Sequence, residues 1–178
     1  MSHETSAVLK IEGVQFPITA TAEGVTSIST PRDVMKLFGK RRGYNLTVAA
    51  DATVAQQKVL MRAAQFISSL LAGEKAPVPS VDLSSLPDFE RDALEATLTI
   101  PRGEVRSYAW VAGKAGSPRG ARAAGTAMSR NPVPLMVPCH RVIHSAGTPG
   151  GYGGRLDVKR KLLEMEGADG QVDWKVSP

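Results

Sequence analysis

Apolar and polar positions alternate with a period of two at the start of the chain and recur at helical spacing further on. Leu9 and Ile11 alternate with Lys10 and Glu12, while Phe16, Ile18 and Ala20 fall on one side of a second run and Thr19 and Thr21 on the other. Residues two apart share a strand face, so both runs predict half-buried β-strands, punctuated by Gly13 and Gly24. Over residues 53–72, Leu60, Ala64, Ile67 and Leu71 recur at helical spacing and Gly73 stops the pattern, which predicts a long helix. The stretch Ala76-Pro77-Val78-Pro79-Ser80 then reads as a linker, and the domain boundary is expected between residues 75 and 86. There are no internal repeats, and the first half carries no legible catalytic motif.

The second half predicts short helices joined by irregular pieces. Pro87-Asp88 opens a helix through Phe89, Ala93 and Ala96 that ends before Pro101. Ser107 caps a helix over 108–115, stopped by Gly116; Ser117 caps the next, with Pro118 at its first position, running to about Arg130 before Asn131-Pro132 breaks it. Two short helices joined by a Gly-Ser turn form a helix-turn-helix candidate, although the same spacing is met more often in plain helical packing. The second helix is unusually bare, with Ala121, Ala123, Ala124, Gly125 and Ala127. A small-residue face allows tight helix packing; against DNA it would let the helix enter a groove, with Arg119, Arg122 and Arg130 meeting phosphates or the base stack.

Composition narrows the picture. A chain of 178 residues builds one large domain or two small ones. No long apolar run predicts a membrane span, and Met-Ser-His-Glu-Thr-Ser lacks the basic-then-apolar pattern of a secretory signal. A single cysteine excludes an internal disulfide and fits a reducing compartment, so a cytoplasmic location is expected. A net charge of +5 and a pI near 9.6 suit a polyanionic partner, though many basic proteins bind no nucleic acid.

That cysteine, Cys139, lies in Val-Pro-Cys-His-Arg-Val-Ile over residues 137–143. A thiol is nucleophilic only as thiolate, and a histidine can take its proton directly or through a water. Adjacent side chains rarely face each other, so a water between Cys139 and His140 is the expected route. His140 then needs an acceptor on its other nitrogen; Glu164 or Glu166, near the end of a helix over 156–166, could supply it. The bland alternative is a buried cysteine acting as a small hydrophobe. The glycine-rich run Gly147-Thr148-Pro149-Gly150-Gly151-Tyr152-Gly153-Gly154, able to fold close over a flat ligand, argues against it. Zinc is not expected: there is no Cys-x-x-Cys, and Pro138 with Val142-Ile143 predicts an extended stretch that separates His140 from His144.

Asn131-Pro132, Val137-Pro138-Cys139-His140-Arg141-Val142-Ile143, Gly151-Tyr152-Gly153-Gly154 and Leu162-Leu163-Glu164-Met165-Glu166-Gly167, taken together, resemble the O6-alkylguanine-DNA alkyltransferases over about residues 87–167. The resemblance implies an α+β fold: a small sheet-plus-helix, ribonuclease-H-like domain over 1–80 that supports a mostly helical, winged helix-turn-helix domain over 87–170. It implies that Cys139 accepts an alkyl group from O6 of a flipped guanine, that His140 deprotonates it through a water, and that Glu166 orients His140. Tyr108 would donate to guanine N3, Arg122 would fill the gap in the base stack, and Asn131 would tie the recognition helix to the active-site turn. The carbonyls of Cys139 and Val142 would accept from the guanine amino group, and Tyr152, the Gly153 N–H and Lys159 would line the pocket near O6. Ala121, Gly125, Arg119 and Arg130 complete the DNA-binding set. Several members carry serine where this chain has Gly153, which implies a looser loop here. The implied partner is double-stranded DNA carrying O6-alkylguanine, bound in the minor groove by a monomer, with clustering along DNA left open. No cofactor, metal or membrane is implied, and each molecule reacts once.

Two other classes compete. A non-enzymatic sensor of alkylated DNA would lack the nucleophile, and Cys139 is present. A cysteine hydrolase usually draws its histidine from far along the chain, whereas only His3 and His144 remain. Trp110 reads as packing, and Lys40-Arg41-Arg42 as a solvated basic turn.

Overall fold

The computed structural model describes residues 3–175. Strands β1 (Thr5–Ile11), β2 (Val14–Ala20), β3 (Val25–Ile28) and β4 (Asn45–Val48) form one antiparallel sheet in the order β3-β2-β1-β4. Burial alternates strictly along β1, as the period of two requires, so Leu9 and Ile11 meet Phe16 and Ile18 on one covered face. Gly13 turns the β1–β2 hairpin at φ +85°, a conformation that costs glycine little.

Helix α1 (Val54–Ala72) lies against this sheet through Leu60, Ala64, Ile67 and Leu71. Both its ends are chemically closed. Thr53 Oγ1 accepts from Gln56 N while Gln56 Oε1 accepts from Thr53 N, and Gly73 at φ +84° donates back to Leu70 O. The proline-rich stretch after α1 ends in a short parallel pairing with β3. Val25 N donates to Ser80 O and Asp82 N to Val25 O, and Thr21 Oγ1 donates to the Asp82 carboxylate at 2.7 Å.

Residues 86 onward build α2 (Asp88–Leu98), α3 (Tyr108–Lys114), α4 (Ala121–Ser129) and α5 (Leu156–Glu166), with a two-residue parallel pair, β5 (Arg106–Ser107) on β6 (Val142–Ile143). The fold is therefore α+β. Ser107 caps α3 by accepting from Trp110 N at 3.1 Å. The predicted start of the next helix is corrected. Ser117–Gly120 closes a turn, with Gly120 N donating to Ser117 O, and α4 starts only at Ala121. Pro118 suits the second position of that turn as well as a helix start, and turn closure wins. Arg119 thus sits on the turn between α3 and α4, not on the helix. Residues 139–141 are corrected too: not extended, they form a 3-10 turn, closed by Arg141 N on Pro138 O and Val142 N on Cys139 O.

The chain divides into two compact units that do not follow one cut. The first runs to Ser85 and adds Pro132–Met136; the second comprises Leu86–Asn131 and the chain from Val137 onward. Among the described residues no helix is long and apolar enough to cross a membrane.

Gly24 sits where backbone meets backbone: a Cβ there would lie 2.6 Å from Val81 C and 2.7 Å from Asp82 N. Replacing it with alanine forces that pairing apart, and Gly24→Ala is expected to cost about 1–3 kcal/mol. Urea denaturation measures this, and an unshifted midpoint would contradict the close approach.

Candidate active site

The 3-10 turn and β6 bring the Cys139-His140-Arg141-Val142 run into the core of the second unit, where Cys139 and His140 are buried. Asn131, just past α4, reaches the turn with one amide group. Its Nδ2 donates to Val137 O at 3.2 Å and to Cys139 Sγ at 3.3 Å. Burial pushes the Cys139 thiol up, against the Asn131 donor and the nearby Lys159 charge, so the resting side chain is a protonated thiol.

Helix α5 delivers Glu166 from the other side. Arg141 grips its carboxylate with Nε on Oε2 and Nη2 on Oε1, both at 2.8 Å, and His140 Nε2 lies 3.1 Å from Oε1. Arg141 Nη1 also donates to Ile100 O at 2.7 Å, and Arg102 donates to Met165 O at 2.7 Å and stands 3.9 Å from Oε1. Burial alone would raise the Glu166 carboxyl; the hydrogen bonds from His140 and Arg141 outweigh it and hold the group at about 2. Burial lowers His140 more than Glu166 raises it, so the imidazole is neutral at pH 7. An ionised carboxylate on Nε2 assigns the proton to that nitrogen. Nδ1 is then a free lone pair, and in the structure it is buried without a hydrogen-bond partner.

Of the other predicted pocket residues, Tyr108, Tyr152 and Lys159 lie within electrostatic reach of Cys139, whereas Gly153 makes no contact with it. Tyr108 opens α3 with its ring between two glycines: a Cβ on Gly150 would meet its hydroxyl at 2.7 Å, and one on Gly125 of α4 would stand 3.9 Å from the ring. His144 lies against the same ring, centroids 5.2 Å apart. Burial, and secondarily the nearby Cys139, lift the Tyr108 phenol to about 12, which keeps it a donor. The buried Tyr152 hydroxyl has no partner of normal geometry and lies close enough to Cys139 for the two to perturb each other; burial first, then Cys139, pushes it well above its ordinary value. Gly153 is exposed at φ +58° with open space around its α-carbon. Lys159 is fully buried and donates to Val142 O at 2.6 Å and to Pro149 O. Burial lowers it to about 8, with Cys139 opposing. The carbonyl of Cys139 accepts from Val142 N and that of Val142 from Lys159, and a carbonyl oxygen carries two lone pairs.

On α4 the bare surface divides. Ala124 and Ala127 are buried against the core, while Arg122 and Ala123 are exposed and Ala121 and Gly125 half-exposed. Arg119 is exposed on its turn, and Arg130 is paired with Glu90 at 3.0 Å. Glu164, the alternative acceptor for His140, instead pairs with Arg160 and Lys161 on the outer face of α5. Arg141 and Arg102 went unassigned in the sequence; a charged residue inside an otherwise apolar run, as Arg141 is, signals a buried partner. Among the described residues no group of His, Cys, Asp and Glu is arranged to hold a metal ion.

Residues 88–168 match the family model of the DNA-binding domain of 6-O-methylguanine DNA methyltransferase. The chain is 34% identical over 156 residues to a methylated-DNA–protein-cysteine methyltransferase of Methanosarcina acetivorans, covering 86% of this chain and 98% of that protein. It is 48% identical over 86 residues to the Mycobacterium bovis protein of that name, covering 48% of this chain and 52% of the relative. The chain thus spans about half the length of the mycobacterial relatives it matches. Among solved structures it is similar to Mycobacterium tuberculosis OGT in complex with DNA, with a TM-score of 0.66 and 29% identity over 90% of this chain and 89% of that one. It also resembles the O6-methylguanine-DNA methyltransferase of Pyrococcus kodakaraensis, at a TM-score of 0.53 and 26% identity over 90% and 99% of the two chains.

The Glu166 cluster sets a pH signature. Its carboxyl titrates near 2 when folded, against 4.5 for an ordinary glutamate, so its contribution is complete above about pH 4.5 and is lost as the pH falls toward 2. The stability gap between the wild type and Glu166→Gln is therefore expected to hold steady above about pH 4.5 and to narrow below it. Urea midpoints across that range measure the gap; one that stays constant in acid would contradict the pairing.

Proposed function

The chain belongs to the methylated-DNA–protein-cysteine methyltransferases, and from that membership we propose that it repairs alkylated DNA directly, moving an alkyl group from O6 of guanine to Cys139 once per molecule. The observation that carries this reading is the buried, unpartnered Nδ1 of His140, the residue that follows a protonated, buried thiol in the chain. A neutral imidazole whose far nitrogen is held by Glu166 is poised to accept one proton, through a water, at the moment the thiol attacks. The S–H proton passes to His140, the sulfur–carbon bond forms in line as the carbon–O6 bond breaks, and the electron pair returns to the guanine ring. Tyr108, a donor across the physiological range, hydrogen-bonds N3 of the departing base.

A guanine in a duplex hides O6, so the base must leave the stack, at a cost of a few kcal/mol that is smaller for a damaged pair. On this reading α3 and α4 form the DNA-binding pair of a winged helix-turn-helix. Ala121, Ala123 and Gly125 give α4 a low profile for the minor groove, and exposed Arg122 fills the gap left by the flipped base. Arg119 meets phosphate from its turn. Arg130 contributes less, because Glu90 already holds it. The carbonyls of Cys139 and Val142 receive the guanine amino group on their free lone pairs. Tyr152 and the Gly153 N–H border O6, and Lys159 braces the pocket wall through the carbonyls it binds. Residues 1–80 form a ribonuclease-H-like support, and 87–170 do the binding and the chemistry. The protein acts as a cytoplasmic monomer on double-stranded DNA. The thioether is stable and nothing near it resembles a group that could remove it, so the protein is consumed and needs no cofactor.

Mixed with a duplex carrying one O6-methylguanine, the protein is expected to gain one methyl group on Cys139, seen by intact mass and peptide mapping, without turnover. His140→Ala should slow the transfer by about 10²–10⁴-fold. Tight binding to that duplex with no mass gain would replace the transferase reading with the sensor.

A further inference from the structure

Residues beyond the matched family segment hold the active-site loop from outside. Helix α5 ends at Gly167, φ +75°, and the chain turns back through a 3-10 turn, Asp169–Gln171. Ala168 and Val172 then pack with Leu163 of α5 and Ile143 of β6, and Val105 and Trp174 lie against this cluster. Three polar contacts lock the return. Gln171 Nε2 donates to Gly103 O at 2.8 Å, Trp174 Nε1 donates to Asp169 O at 3.2 Å, and the Arg160 guanidinium stands 5.4 Å from the Trp174 ring centroid. A fourth contact reaches the loop itself: Asp173 N donates to Gly147 O at 2.9 Å.

Gly147 is the tip of a tight turn, its N–H donating to His144 O while His144 N donates to Thr148 O. The two ends of that turn are the groups that touch Tyr108. His144 contributes its ring, and Gly150, three residues past the tip, lets its backbone lie on the Tyr108 hydroxyl. Lys159 holds the intervening Pro149 carbonyl from α5. The α3 backbone and Gly125 of α4 place one side of Tyr108; the side that carries the hydroxyl faces a loop fixed at Pro149 by Lys159 and at Gly147 by the segment 169–174.

We infer that residues 169–174 are a strap that positions the base-binding pocket, with Asp173 and Trp174 acting as positioning residues for Tyr108 through the 144–150 loop. The inference rests on the proposed transfer reaction for its consequence and on the hydrogen bond to Gly147 for its existence. The strap's contacts run to Gly147, Gly103, Arg160 and the Ile143–Leu163 cluster, none of them on α4, so releasing it should slow alkyl transfer without weakening the grip on DNA.

Asp173→Pro is the cleanest cut. It deletes the N–H that holds Gly147, and the preceding Val172, at φ −121° and ψ 129°, already has the extended conformation that a following proline requires. Trp174→Ala removes the anchor by a second route. Three readouts apply to both full-length variants: amide hydrogen exchange, affinity for undamaged duplex, and the limiting transfer rate at saturating O6-methylguanine duplex. The expected result is faster exchange in residues 144–150 as well as in the strap, affinity unchanged within about twofold, and a limiting rate lowered about tenfold, corresponding to about 1.4 kcal/mol. Unchanged loop exchange would overturn the strap, and a loosened loop with an undiminished transfer rate would overturn its positioning role. A wild-type protein that transfers nothing would defeat the proposed function and leave the strap to be judged on exchange alone.

Discussion

A carboxylate removed from water must find its counter-charge inside the protein, and Glu166 is such a group. Arg141 supplies that charge in the form best matched to it, a planar fork meeting both oxygens at 2.8 Å. The fork has a further donor, which is spent on Ile100 O just past α2. One side chain thus connects the end of α2, the nucleophile's turn and the end of α5. Removing one partner of a buried ion pair typically costs about 3–5 kcal/mol, because the other charge is left buried and uncompensated, so none of these three points can let go alone. His140 takes what remains of the carboxylate, and this fixes its ring and its tautomer together. The reactive state of the site is therefore a by-product of solving a burial problem.

The opposite wall of the pocket is held by absence of side chains. Tyr108 is confined on its loop side because Gly150 brings the backbone so close that a Cβ there would lie 2.7 Å from the hydroxyl, while Gly125 leaves room for one at 3.9 Å. Any larger residue at Gly150 would occupy the space of the phenol, and its φ of +68° disfavours one in any case. Ion pairing thus holds one side of the site, and a close-fitting loop holds the other.

Much of this was legible in the sequence where the signal is local. Strand alternation around Leu9 and Phe16, the stop at Gly73 and the Ser107 cap are written in adjacent residues, and each appears in the structure at that place. Ser117–Gly120 forms a turn where the sequence predicts a helix start, because serine and proline satisfy the rules for both equally and only tertiary context separates them. The choice between Glu164 and Glu166 was open for a similar reason. Two residues apart on a helix, they point to different faces, and which face is buried depends on partners outside the helix. The link from Asp173 to Gly147 could not be foreseen at all, since it joins two backbone groups and leaves no trace in side-chain identity. The same holds for the return of Pro132–Met136 to the first unit, where short apolar residues flanked by prolines look like any connecting loop.

That return bears on how the protein is made. A ribosome releases its product in order, and consecutive domains ordinarily fold in that order as each emerges. Here the first unit includes buried Val133, Leu135 and Met136, with Leu135 held at φ +75°. Those residues are synthesised only after α2, α3 and α4. The amino-terminal unit therefore waits, its core incomplete, while more than half of its neighbour's helices accumulate behind it. The nascent chain passes through a long interval in which neither unit is finished, and the last act of closing the first is translation of the residues immediately ahead of the nucleophile.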